Sequence, residues 1–472
     1  MLKDIKPVSS IIILVSIGIF MSALDSSIVN ISLPVISRYF TAPMTSVEWI
    51  VLSYLIIITS LLLTFGKLGD LYGHKKIFNT GLVIFTAGSL FCSLSPTLLL
   101  LIVSRVIQAL GAGMLMSMGP AIITINTSPS RRGKYLGIIA MSVSVALIAG
   151  PVLGGFLTTY FGWQSIFYIN IPIGITAFIW ALKSLPASRL TAAARFDFAG
   201  AGLLFISLLL IVFPLSYGDR AGWSNPFVIG SLASGVFLFI AFFFAESRIK
   251  NPMLDPGLFK SRLFSMANLS LLINFMAQFC VTFIMPFYLI DFRKFSPSKA
   301  GLILIAAPAV VMIIAPLAGY LSDKIDARYI SSAGMAVSSA GLFLLSTLKE
   351  DTAIFAIIAF LSITAIGFGF FQTPNNSAIM GSVPPDRRGI ASSMIATMRN
   401  MGMVFGVAIS GSIFSSRFDF LTEALSLEGL GESAVLSHAY SGAMETTFIV
   451  AASLSCIAVF TSLIRGSLKS GK

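Results

Sequence analysis

Charge is scarce in this sequence. Asp, Glu, Lys and Arg make up 11% of its 472 residues, against about a quarter in soluble globular proteins. A water-covered surface cannot be assembled from that supply, so a soluble enzyme is excluded. Histidine is almost missing: His74 and His438 are the only two, too few for a His-based metal cluster. The three cysteines, Cys92, Cys280 and Cys456, fall inside apolar runs and read as small packing residues, not as a disulfide framework. Residues 466–472 imitate a phosphate-binding loop, but they lack its Ser/Thr and follow no strand. No ATPase module and no cofactor are expected.

Apolar residues fill the space that charge leaves. They make up 56% of the chain, mean hydropathy is +0.93, and they gather in runs of roughly 20 residues, enough for a helix to cross a bilayer. A membrane β-barrel would show short alternating segments instead. The fold class is therefore an all-α polytopic membrane protein. Fourteen runs centre near residues 22, 56, 86, 109, 146, 172, 207, 235, 276, 309, 339, 366, 402 and 456. The first, from about Ser10, is too long for a signal segment and no small-residue cleavage site follows it, so it reads as a retained helix. The widest gap, 416–443, carries Asp419, Glu423, Glu428 and Glu432 and is expected to hold short amphipathic helices.

Orientation follows from the positive charges. With both termini inside, 22 of the 31 lysines and arginines fall in inner loops and 7 in outer loops, while Arg105 and Arg399 lie within spans. Cytoplasmic loops collect Lys and Arg, so this bias supports an even span count with both ends cytoplasmic. It also accounts for the net charge of +12 without nucleic acid. The Asn126-Thr-Ser sequon then falls on the cytoplasmic side. Short tails and loops suit the cell membrane of a prokaryote.

A repeat divides the chain. Gly66-Lys-Leu-Gly-Asp70-Leu-Tyr-Gly73-His-Lys-Lys76 follows the second run, and Gly319-Tyr-Leu-Ser-Asp323-Lys-Ile-Asp-Ala-Arg328 follows the tenth, 253 positions later. Pro129-Ser-Arg131-Arg132-Gly133 and Pro385-Asp-Arg387-Arg388-Gly389 recur at 256. Six spans form the unit, giving an expected N-terminal bundle at 1–186, an inserted helix pair at 187–262 and a C-terminal bundle at 263–472. Parallel repeats of this kind are a secondary-transporter architecture with the substrate site between the halves.

Five motifs in order carry a resemblance over essentially the whole chain. They are Leu24-Asp25-Ser-Ser-Ile-Val-Asn30-Ile-Ser-Leu-Pro34, the 66–76 segment, Arg105-Val-Ile-Gln108-Ala-Leu-Gly111, Gly150-Pro151-Val-Leu-Gly154-Gly155, and Phe167-Tyr-Ile-Asn170-Ile-Pro172-Ile-Gly174. The chain resembles the fourteen-span drug:proton antiporter branch of the major facilitator superfamily. That resemblance implies the major facilitator fold, two six-helix bundles plus the inserted pair, and multidrug efflux. It implies proton coupling or cation recognition at Asp25, an assisting role for Arg105, and a conformational gate at Gly66, Asp70 and Gly73. It also implies export rather than import from the Gly150–Gly155 pattern. One departure stands out: His74 occupies a position where the family usually has Arg.

The residues support the same roles independently. Asp25 lies near the middle of the first run, where a carboxylate is costly and marks an ion or proton path; burial favours the neutral form of a carboxyl, which suits proton uptake. Arg105 and Gln108, one turn apart, share a helix face and can form a polar site beside it, although Arg105 is also close enough to a span end to snorkel outward. Pro151 removes a backbone donor, and Gly150, Gly154 and Gly155 let another helix approach closely. Gly66 and Gly73 permit a tight turn, while Asp70 suits a helix N-terminus or a facing arginine. Candidate substrate ligands are Asn30, Gln108, the i, i+4 pair Asn274 and Gln278, Gln372 and Asn375 in a Pro374-interrupted polar stretch, and Arg399; helix–helix hydrogen bonding explains several of them equally well. The 40 Phe and 19 Met suit an adaptable apolar pocket.

Together these imply a monomeric, proton-driven exporter of small lipophilic molecules, with the bilayer and protons as its other partners. Intramembrane acids are scarce, since Glu48 and Asp291 lie only near span ends, which argues against divalent cations. The alternative is a proton-coupled transporter of one endogenous metabolite such as an amino acid, peptide or lipid-like product. A channel would need a continuous polar pore, and an enzyme a nucleophile–base set or metal cluster; neither pattern is present in the sequence.

Overall fold

The computed structural model describes residues 8–186, 198–248, 256–384, 387–427 and 431–466. Outside the described residues lie the expected boundary at 187, residues 385–386 of the second Arg-Arg-Gly segment, Glu428 and the tail 467–472. Among the described residues there is no strand, and fourteen helical segments are long and apolar enough to span a membrane. They are α1 (Val8–Phe40), α2 (Trp49–Tyr72), α3 (His74–Ser93), α4 (Leu98–Asn126), α5 (Pro129–Phe161), α6 (Ser165–Ser184) and α7 (Phe198–Ala221). The series continues with α8 (Pro226–Arg248), α9 (Arg262–Phe292), α10 (Pro297–Lys324), α11 (Ala327–Ser346), α12 (Ile354–Gly381), α13 (Arg388–Leu427) and α14 (Glu432–Ile464). This is a multi-pass membrane protein.

Two compact units contain these helices: one of residues 1–42 and 49–205, the other of 43–48 and 206–472. In the first unit α1 packs on α4, α5 and α6, α2 on α4, and α3 on α4 and α6. In the second unit every one of these pairings recurs with the span number raised by eight: α9 on α12, α13 and α14, α10 on α12, and α11 on α12 and α14. The repeat is therefore one of packing as well as of loops.

Glycines at matched positions make the close crossings. A Cβ on Gly81 would stand 3.1 Å from the Gly111 carbonyl oxygen, and one on Gly334 would stand 2.7 Å from that of Gly367. Gly88 lies against Gln108 as Gly341 lies against Thr364. These pairs keep the loop offsets of 253 and 256. Small residues let membrane helices meet backbone to backbone, where dispersion contacts replace the missing hydrophobic drive.

Three expectations about local structure change. The 66–76 segment is not a loop: α2 runs to Tyr72, α3 starts at His74, and Gly73 alone turns the chain with φ +94°, a conformation open to glycine. Pro374 does not interrupt α12, which continues to Gly381; neighbouring helices can satisfy the backbone groups a proline frees. The gap at 416–443 holds no separate short helices among its described residues, because α13 extends to Leu427 and α14 begins at Glu432. Aromatic packing holds these extensions: Tyr440 stacks on Phe292 with ring centroids 4.6 Å apart and meets Phe414 at 5.0 Å.

Candidate functional site

In the first unit Asp25, Arg105 and Gln108 come together. Asp25 is fully buried in α1 and Arg105 is 1% exposed in α4. Arg105 Nη1 donates to Asp25 Oδ2 in a direct ion pair and to Gln108 Oε1 at 2.6 Å. Gln108 Nε2 donates to Asp25 Oδ1 at 2.8 Å and to Ser89 Oγ on α3 at 2.8 Å. The guanidinium also lies 4.1 Å from the Tyr54 ring centroid, and Arg105 Nε donates to the Ile50 carbonyl at 3.1 Å. Arg105 thus points into the protein and does not snorkel. A charge pair out of water holds only when further hydrogen bonds complete it, and here both members are completed.

Asn170 joins the cluster as well. It is buried where α6 resumes after Ile169, and its Nδ2 donates to Asp25 Oδ1 at 3.2 Å. Its sequence signal was the Asn170-Ile-Pro172 motif, but no spacing rule tied that motif to Asp25, 145 positions away. Four helices therefore converge on one carboxylate: α1 supplies Asp25, α4 Arg105 and Gln108, α6 Asn170, and α3 anchors Gln108 through Ser89. Asn30 stays apart, with its amide turned back to the Ser26 carbonyl at 3.0 Å.

The glycine motif lies against the same stretch of α1. Gly150 faces Ser27 and Ile28, and Gly154 faces Ile28 and Ile31; a Cβ at Gly154 would stand 2.8 Å from the Ile28 carbonyl oxygen. Gly155 is buried beside them, and Pro151 sits inside a continuous α5. In the second unit Gly402 and Gly406 of α13 receive Leu272, Phe275 and Met276 of α9 in the same way. Gly66 faces Ser117 of α4. Asp70, about half exposed, pairs with His74 at 3.3 Å across the Gly73 turn, so the residue that departs from the family pattern takes up the carboxylate.

The candidate ligands of the second unit do not form a comparable cluster. Asn274 is buried with its Nδ2 2.9 Å from Met335 Sδ. Asn375 Nδ2 donates to the Ala267 carbonyl at 3.0 Å, and its Oδ1 accepts from Arg465 Nη1 at 2.6 Å. Arg465 is 1% exposed and also reaches Ser331 Oγ at 3.4 Å. By sequence it falls among the cations of the C-terminal segment, with nothing to mark it as buried. Gln278, Gln372 and Arg399 have no side-chain partner among the described residues; Gln278 Oε1 and Arg399 Nε are shielded from solvent. No group of metal-ligating side chains occurs among the described residues.

Comparison with known proteins agrees with this architecture. The model of the Major Facilitator Superfamily matches residues 15–407 and 267–465. The riboflavin transporter RibZ of Clostridioides difficile is 37% identical over 87% of this chain and 89% of its own length. The multidrug resistance protein Stp of Mycobacterium tuberculosis is 30% identical over 86% of this chain and 75% of its own. A bacterial homologue of the lysosomal transporter Spinster, solved in an inward-facing form, shares the fold with a TM-score of 0.70 at 16% identity, covering 98% of this chain and 99% of that one. With fourteen spans, a duplicated six-helix packing pattern and these relatives, the chain belongs to the major facilitator superfamily.

Proposed function

We propose that the protein is a proton-coupled exporter of small lipophilic compounds in the cell membrane, with both termini cytoplasmic and residues 187–262 as a helix pair inserted between the two repeats. The observation that carries this reading is the buried Asp25 carboxylate held by Arg105, Gln108 and Asn170. A carboxylate with three donors is satisfied as an anion. Proton exchange at Asp25 is then tied to the loosening of its contact with Arg105, the contact that joins α1 to α4. Helix movement and proton binding are thereby coupled. The close Gly150 and Gly154 contacts with α1 place the same helix under the control of α5. The α2 end from Gly66, the Gly73 turn and the Asp70–His74 pair across it serve as a gate. The multidrug resistance protein among the relatives supports efflux of several compounds.

A second reading, one dedicated metabolite, is favoured by the 37% identity to a riboflavin transporter. Both are tested by imposing a pH gradient on reconstituted vesicles and adding ethidium, neutral lipophilic compounds and riboflavin, with wild type beside Asp25→Asn. Gradient dissipation by several compounds, lost in Asp25→Asn, supports broad export. Dissipation by riboflavin alone selects the second reading. Dissipation that persists in Asp25→Asn removes Asp25 from proton coupling.

A further inference from the structure

The first turns of α3 carry chemistry that transport leaves unused. α3 begins at His74 and its neighbour α6 ends at Ser184, so the start of one span stands beside the end of another. There they bound a crevice of about 550 Å³, lined on α3 by Lys75, Lys76, Asn79, Thr80 and Val83 and on α6 by Phe178. Two joins hold the helices around it. Lys75 Nζ donates to the Leu182 and Leu185 carbonyls at 3.0 and 2.6 Å, tying off the end of α6. Deeper in the span, Gly174 brings α6 against Thr86 of α3. The crevice runs along α3 short of that crossing, from Tyr72 to Val83.

The two lysines differ in what they leave available. Lys75 spends its donors inside the protein. Lys76 is exposed, lies 6.0 Å from the Tyr72 ring centroid and enters no ion pair among the described residues. Asp70, the acid closest to it in sequence, is taken by His74. No acidic residue among the described residues lines the crevice. Lys76, Thr80 and Val83 are all exposed and follow at i, i+4 and i+7, so they share one helix face. Along that face the chemistry passes from a cation through a hydroxyl to an alkyl group, with Phe178 on the other wall. A phospholipid presents the matching order of phosphate, glycerol ester and acyl chain.

We propose that this crevice binds an anionic phospholipid, with the headgroup phosphate on Lys76 and Thr80 and the acyl chains along Val83 and Phe178. Basic pockets between transmembrane helices hold anionic headgroups in this way. A zwitterionic headgroup gains less, because its ammonium finds no carboxylate in the crevice. A free phosphate also gains less, because it leaves the apolar wall uncovered. The site is independent of the transported molecule and of proton coupling.

The test is native mass spectrometry of the purified full-length protein in detergent, titrated with dioleoyl phosphatidylglycerol or dioleoyl phosphatidylcholine. Wild type should bind the phosphatidylglycerol more tightly. Lys76→Gln should weaken it about fivefold, the worth of one lysine at an anionic surface, with phosphatidylcholine and the thermal midpoint unchanged; Lys76→Arg should retain it. Val83→Trp, which fills the apolar end of the crevice, should weaken it as well. Lys349→Gln, at an exposed lysine outside the crevice, should leave it unaltered. Equal affinity for the two lipids, an unchanged phosphatidylglycerol affinity in Lys76→Gln, or an equal loss in Lys349→Gln overturns the proposal. Displacement of the lipid by inorganic phosphate at the same concentration also overturns it and marks the crevice as a site for a free anion.

Discussion

The two units share a scaffold and differ in their chemistry. Gly81, Gly88 and Gly111 return as Gly334, Gly341 and Gly367, and Gly150 and Gly154 return as Gly402 and Gly406, making the same helix crossings. Yet at the offset of 256 Arg105 becomes Leu361 and Gln108 becomes Thr364, both buried, so the second unit has neither the cation nor the amide at these positions. The first unit closes its charges on one another. The second leaves Arg399 open and fixes Arg465 with neutral partners. Duplication kept what packs helices, and divergence separated a half whose buried charges pair with one another from a half with unfilled hydrogen-bonding groups.

The comparison breaks or sharpens through substitutions of graded effect. Arg105→Ala strands Asp25 without its cation, so it should cost about 3–5 kcal/mol, the range for breaking a buried ion pair; denaturant or thermal unfolding in detergent measures it. Gly154→Val and Gly406→Val insert the same bulk at matched crossings and should each cost about 1–3 kcal/mol by overpacking. A cost confined to one of them would end the equivalence of the two α-helix pairs. Arg465→Met leaves Asn375 Oδ1 unsatisfied and should cost about 1–3 kcal/mol.

The Arg465 effect also has a defined pH dependence. Burial pulls its guanidinium down to about 10. A cation whose folded value lies below its unfolded one gains folded stability only as pH rises from about 10 toward 12.5. The Arg465→Met deficit should therefore be the same at pH 6 and pH 8 in unfolding curves. Arg399→Gln stands at the small end of the series, within about 0.5 kcal/mol of wild type, because no partner is lost.

Much of this was legible in the sequence because a bilayer imposes its own ruler. Fourteen apolar runs became fourteen spans since each had the required length. Asp25 and Arg105 were legible because charge inside such runs is rare enough to mean something. Asn170 was not, since its place beside Asp25 depends on how α6 resumes after Ile169. Arg465 was missed for a related reason: hydropathy reads it as a loop cation, while its burial comes from Ser331 and Asn375 on other helices. The 416–443 stretch misled because acidic residues end an apolar run without ending a helix. Phe292, Phe414 and Tyr440 hold the helices there.

The release of Asp25 from Arg105 is tested most directly by comparing two transport modes in one set of vesicles. Asp25→Asn keeps the side-chain shape and its hydrogen-bonding oxygen but cannot exchange a proton. Substrate counterflow at equal pH on both sides should survive in this variant, while uptake driven by a pH gradient should fall to the level of empty vesicles. Gradient-driven uptake that persists in Asp25→Asn would contradict proton coupling through this carboxylate.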